Sequence, residues 1–233
     1  MIKETEFLEN LSKVKSEIAS SCLKYGRSLD EITLLPVTKN WPIDAVTFCR
    51  NSKIKSVGEN RVQEALSKMD GNQSMNFELI GHLQSNKAKH VVGKFSSIQT
   101  IDSLKLMDRV NSVALLNDLI QPVLLQVNAG NDPAKFGVSI EDTEALLEHA
   151  LTLNGICVDG FMTIAPYDPQ NKSVARSCFS NLRNLRDQMS ERFDCRFSKL
   201  SMGMSGDMDE AIAEGSTMIR VGSALFGNRA PVV

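Results

Sequence analysis

Lys39 closes a short apolar run, Ile32-Thr33-Leu34-Leu35-Pro36-Val37-Thr38, and Asn40-Trp41-Pro42 follows before Ile43, Val46 and Cys49 recur at helical spacing. Such a run, bounded by polar sequence, reads as a strand buried on both faces. Pro42 has its φ preset for a first helical turn. A lysine at that strand end stands at the mouth of a core, where its amine can attack a carbonyl carbon. Taken alone, the stretch favours the plainer reading, a surface lysine in a loop. Two further stretches suit an anion. In Ser201-Met202-Gly203-Met204-Ser205-Gly206 the glycines admit close backbone approach. Ser205 is expected to open a helix whose free N–H groups face a ligand. Arg220-Val221-Gly222-Ser223 again sets a glycine and a hydroxyl after an apolar run. Either stretch alone is equally a turn and a simple cap, and Asp207, Asp209 and Glu210 oppose an anion beside the first. Together with Lys39 they suit a phosphorylated aldehyde held as an imine. Pyridoxal 5'-phosphate fits, with Arg220 as a third element reaching its pyridine nitrogen.

The elements that must position these groups follow from periodicity. Phe7, Leu11, Val14, Ile18 and Cys22 predict an amphipathic helix over about 4–24, stopped near Gly26. After the strand that ends at Lys39, further strands are expected near 54–60, 77–82, 96–101, 122–128, 157–164, 197–202 and 217–221. Each is followed by a helix or helical turn, including a basic helix from Ser85 to Val92 and one capped by Ser139 with Asp142. Continuous apolar strands alternating with helices imply a parallel sheet. Eight such units in one domain of residues 1–233 predict an α/β fold of the closed (β/α)8 kind. An open doubly wound sheet is the runner-up, but its Gly-rich first turn is missing from Val37-Thr38-Lys39-Asn40. Barrel chemistry sits where strands end. There stand Lys39, Glu59, Asn60, His82, Asp102, Asn128, Thr163, Ser201, Ser205, Arg220, Gly222 and Ser223.

Composition narrows the function classes. The chain has 233 residues, 42% apolar and 23% charged, with a net charge of -2. That balance speaks against a nucleic-acid binder driven by a basic surface, and Lys87, Lys89 and Lys94 read as a solvated face. Five scattered cysteines without a C-x-x-C pair fit a reduced, cytoplasmic protein. No signal peptide and no membrane span is expected. The three histidines lack metal-ligand spacing, and neither a Gly-x-Ser-x-Gly elbow nor a P-loop occurs.

At this point several stretches match a known pattern nearly end to end. They are Leu35-Pro36-Val37-Thr38-Lys39, Gly58-Glu59-Asn60-Arg61-Val62-Gln63-Glu64, Ile80-Gly81-His82-Leu83-Gln84-Ser85-Asn86-Lys87, Gln126-Val127-Asn128, Lys135-Phe136-Gly137, Gly160-Phe161-Met162, and Leu200 to Ser205 with Arg220 to Gly227. The sequence resembles the pyridoxal-phosphate homeostasis protein family, whose members look like the barrel domain of alanine racemase standing alone. The resemblance implies a fold-type III barrel with the cofactor on Lys39. It puts Arg220 at the pyridine nitrogen, Ser205, Gly222 and Ser223 at the phosphate, and Asn60 near the ring. It implies a cytoplasmic protein, expected to be a monomer, that buffers pyridoxal phosphate or delivers it to apo-enzymes without a well-defined turnover. An amino-acid racemase is the alternative, and a binding module acting through protein partners is a third reading. Two-sided racemisation needs an acid/base on each face of the substrate. Of Tyr25 and Tyr167, the second is the one expected near the mouth. The chain departs from the pattern at Asn40-Trp41 and at residues 229–231.

Overall fold

The computed structural model describes residues 2–227; the departure at residues 229–231 lies outside them. Eight parallel strands form one sheet in the order β1-β8-β7-β6-β5-β4-β3-β2. They are β1 (Thr33–Pro36), β2 (Ser56–Glu59), β3 (Asn76–Leu79), β4 (Ser97–Ile101), β5 (Gln121–Gln126), β6 (Ile156–Met162), β7 (Lys199–Ser201) and β8 (Met218–Val221). The ring closes between β1 and β2 through a bridge from Val37 to Gly58 and the Thr38 N–H donating to the Gly58 carbonyl at 3.1 Å. Helices α1 (Glu4–Lys24), α2 (Ile43–Asn51), α3 (Val62–Met69), α4 (Leu104–Leu116), α5 (Ile140–Leu151), α6 (Lys172–Phe193), α7 (Met208–Ala213) and α8 (Ser223–Phe226) complete a (β/α)8 barrel.

Two elements differ from the expected ones. The stretch from Ser85 is a 3₁₀ helix, Ser85–His90, rather than an α-helix to Val92. Its apolar residues Ala88, Val91 and Val92 are all buried, and the three-residue spacing of the first two suits the tighter helix. Ser205 does not open a helix. Asp207 folds its carboxylate back onto the Met204 N–H at 2.6 Å, so the chain makes a turn first and α7 begins at Met208.

The main core lies between sheet and helices, where residues such as Phe7, Val57, Phe77, Ile98, Val123, Phe161, Leu200 and Ile219 are buried. A second, small apolar cluster of Leu35, Val37, Ile80 and Met218 is separate from it. Strand alternation puts this second set inside the barrel, and polar residues share that interior. The buried Arg220 donates to Ser201 Oγ at 2.8 Å, Ser201 donates to Gln99 Oε1 at 2.6 Å, and Gln99 donates to Glu78 Oε2 at 2.6 Å. Buried polar groups persist when each finds a partner, and this chain of bonds supplies partners across four strands, β8, β7, β4 and β3.

Helix α1 buries Phe7, Leu11, Val14, Ile18 and Cys22, the stripe its spacing predicts. Phe7 stacks on Phe226 of α8 with ring centroids 5.4 Å apart, and Asn10 donates to the Leu225 carbonyl at 3.1 Å. The first helix therefore braces the last, whose first turn reaches the strand C-termini.

Candidate functional site: a cleft at the strand C-termini

A cleft of about 600 Å³ opens at the C-terminal ends of the strands, and Lys39, Asn60, Ser205, Arg220, Gly222 and Ser223 all line it. The structure thus brings together all six residues singled out in the sequence. Lys39 arrives from the end of β1, Asn60 from the residue after β2, Ser205 from the turn after β7, and Arg220 from β8. Gly222 caps α8 and Ser223 opens it. A larger hollow of about 980 Å³ lies at the other end of the barrel, around Thr33, Lys199 and Thr217. It holds none of the six, and (β/α)8 barrels do their chemistry at the C-terminal face.

Arg220 is the deepest charge in the cleft, at 3% exposure. Burial pulls its pKa down to about 10 and Asp207 pulls it back up, so the guanidinium stays cationic at neutral pH. Its second anchor is the Thr163 carbonyl at 2.8 Å. With Ser201 and Thr163 taking two N–H groups, the fork keeps donors for a ligand. Asp207 also lines the cleft. Burial pushes its carboxyl up, while the Met204 N–H and Arg220 pull it down. Its charge is turned toward a backbone donor and an arginine, which blunts its opposition to an anion beside Ser205.

The other strand-end candidates go elsewhere. Glu59 is fully buried between β2 and α3 and accepts from Lys68 at 2.7 Å. His82 stacks on Phe136, centroids 4.3 Å apart, with Asp102 at 3.4 Å. Asn128 holds its own loop through both the N–H and carbonyl of Asp132. Thr163 and Ser201 serve Arg220 from inside the barrel. Several residues escaped the sequence reading: Lys172, Pro166 and Asp168 also line the cleft, and Lys68, Gln99 and Glu78 support it from within. Gln99 carried no clear signal, since Ser97-Ile98-Gln99-Thr100-Ile101 holds two other polar residues and only Ile98 and Ile101 are apolar. Among the described residues, no group of three or more His, Cys, Asp or Glu could hold a metal ion, and no helix is long and apolar enough to cross a membrane.

The donor set suits a phosphorylated carbonyl compound. A cation, two hydroxyls and a glycine N–H converge with an amine, and a Cβ added at Gly206 would meet no atom within 4 Å, so the space beside Ser205 is open cleft. A parallel barrel with a strand-end lysine, a buried arginine and hydroxyl-bearing turns after its last two strands defines a lysine-anchored, phosphate-accepting class of barrel. The chain belongs to the family of the alanine racemase N-terminal domain, whose pattern matches residues 23–230. The pyridoxal phosphate homeostasis protein of Aquifex aeolicus is 39% identical over 223 residues, covering 95% of this chain and 97% of its own. PipY of Synechococcus elongatus, solved with PLP bound, superposes with a TM-score of 0.84 at 31% identity, covering 95% of this chain and all of that one. Alanine racemase of Clostridium difficile superposes with a TM-score of 0.80 at 14% identity over 98% of this chain and 58% of that one, a likeness of fold.

Proposed function

We propose that this protein binds pyridoxal 5'-phosphate in the cleft, holds it through Lys39, and buffers or delivers it in the cytoplasm without a defined turnover. The observation that carries this reading is the convergence of Lys39, Arg220, Ser205, Gly222 and Ser223 on one cleft. When bound, the cofactor supplies an electrophilic aldehyde and an electron-accepting ring. Lys39 offers its amine to the aldehyde carbon. Ser205, Ser223 and the Gly222 N–H hold the phosphate, and Asn60 lies beside the ring. Arg220 donates to the ring nitrogen and leaves it no proton of its own, because a guanidinium keeps its protons at neutral pH. An unprotonated nitrogen makes a weaker electron sink, which disfavours transamination.

Racemisation is the second reading, favoured by one observation: Tyr167 lines the cleft. It is 86% exposed, however, and nothing fixes its hydroxyl over the reacting face. Tyr25, the other tyrosine, donates to Asp209 at 2.9 Å and does not line the cleft. The test pairs two assays on the loaded protein. Transfer of the cofactor to an apo-enzyme, restoring that enzyme's activity, is expected. Incubation with L-alanine and other L-amino acids should give no enantiomer above background. Turnover on the order of 1 s⁻¹, within the ordinary enzyme range, overturns the buffering role in favour of the racemase.

The phosphate contacts should be separable from the lysine. Ser205→Ala removes one hydrogen bond to a charged group, about 1.5–3 kcal/mol, or roughly tenfold to a hundredfold in affinity. The fold should be intact, because Ser205 lies in a partly exposed turn. Unchanged affinity in a cofactor titration would move the phosphate elsewhere.

A further inference from the structure

We infer that the buried ion triad Glu59–Lys68–Glu64 is a positioning device for Lys39, gripping the backbone on both sides of it. The inference rests on the reading of Lys39 as the covalent anchor. Lys68 is a lysine on α3 with only 5% exposure. Its ammonium donates to three oxygens at 2.7 Å: the Thr38 carbonyl, Glu59 Oε1 and Glu64 Oε1. The same Glu59 oxygen accepts from the Thr38 hydroxyl at 2.6 Å. On the far side of Lys39, the Asn40 N–H donates to Glu64 Oε1. Residue 38 is thus held by its carbonyl and its hydroxyl, and residue 40 by its amide, all in one cluster.

Two physical points set this apart from an ordinary helix ion pair. Asn40 has a φ of +60°, a left-handed conformation that asparagine adopts more readily than other residues with a side chain. The turn after Lys39 is a sharp one, and the Glu64 carboxylate on the Asn40 amide fixes its orientation. Second, burying a lysine between carboxylates gains little stability over apolar packing. A cluster of that kind, placed around the one residue whose amine must reach a ligand atom, is what orienting a reactive side chain requires. Lys39 itself lines the cleft.

The experiment compares two ligands on the full chain. Pyridoxal 5'-phosphate reports the bond to Lys39 through its visible absorbance. Pyridoxine 5'-phosphate has the same ring and phosphate but no aldehyde, and reports the cleft alone. Glu64→Ala should weaken pyridoxal phosphate binding about tenfold or more and slow growth of the absorbance band, with pyridoxine phosphate affinity within about twofold. Glu64→Gln, whose side-chain carbonyl still accepts from the Asn40 N–H, should recover most of the loss. The double variant Glu59→Gln/Lys68→Met, which removes the two fully buried charges and leaves only the partly exposed Glu64, should show the same selective loss and guards against a folding defect in the first. Equal losses for both ligands, or wild-type behaviour with both in Glu64→Ala and in the double variant, overturn the clamp. A wild-type protein that binds pyridoxine phosphate but shows no absorbance band, or binds neither ligand, overturns the reading of the cleft and this inference with it.

Discussion

Lys39→Ala is expected to abolish the visible absorbance of the loaded protein while the barrel stays folded. Lys39 follows β1 at the cleft wall and is only partly buried. Its loss creates no cavity in either apolar cluster, since the interior set is Leu35, Val37, Ile80 and Met218. Stability should therefore move by no more than the ~0.5 kcal/mol usual for substitutions away from the core, or about 1–2 °C in Tm for a chain of this size. The chemistry is all or nothing by comparison, because no other group at that strand end can bond the aldehyde. Cofactor binding should weaken without vanishing, because Ser205, Ser223 and Arg220 still line the cleft. Borohydride reduction of the wild-type complex should fix a pyridoxyl group on the peptide containing Lys39. Lys172 is the informative control, for it lines the same cleft. A reduced adduct on Lys172, Lys87 or Lys135 would place the anchor elsewhere.

What the sequence disclosed, and what it hid, divides along a physical line. The eight strands were legible because strands of a parallel barrel are covered on both faces, so each reads as an apolar run. Their ends were less so: the run through His82 ends as a strand at Leu79, where Gly81 packs against the Asn60 backbone and accepts from Thr100 at 2.9 Å. The six cleft residues were legible because they cluster at strand ends with glycines and hydroxyls. The turn at Ser205 departs from the expected helix start because Asp207 accepts from the Met204 amide, a local side-chain bond that competes with the helix. Lys68 was hidden altogether. Glu64 and Lys68 stand four apart on a helix and read as a solvated pair. Helical spacing reports which side chains share a face, and it does not report that Glu59, at the end of the neighbouring strand, lies over that face.

That concealed lysine supports the largest expected change in stability. Lys68→Met should destabilise the fold by about 3–5 kcal/mol, the usual result of removing one partner from a buried ion pair, which lowers Tm by roughly 6–20 °C for a chain of this length. Glu59 has no exposed surface, and its Oε2 already has no hydrogen-bond partner. Without Lys68, only the Thr38 hydroxyl remains on its carboxylate. The deficit should depend on pH in a definite direction. Burial pushes the Glu59 carboxyl up, and Lys68 and the Thr38 hydroxyl pull it down. Removing Lys68 lets burial act with less opposition. A carboxyl whose folded pKa lies above its unfolded value, about 4.3, binds more protons folded than unfolded in the interval between the two. Stability then falls as pH rises through that interval. The deficit of Lys68→Met against wild type should accordingly be smaller near pH 5 than at pH 8, measured by urea denaturation at each. Adding Glu59→Gln removes the stranded charge, so the double variant should recover much of the loss at pH 8 and little at pH 5. A single Lys68→Met variant within about 1 kcal/mol of wild type at pH 8 would mean that Glu59 is protonated in the native protein and that the triad carries no buried ion pair.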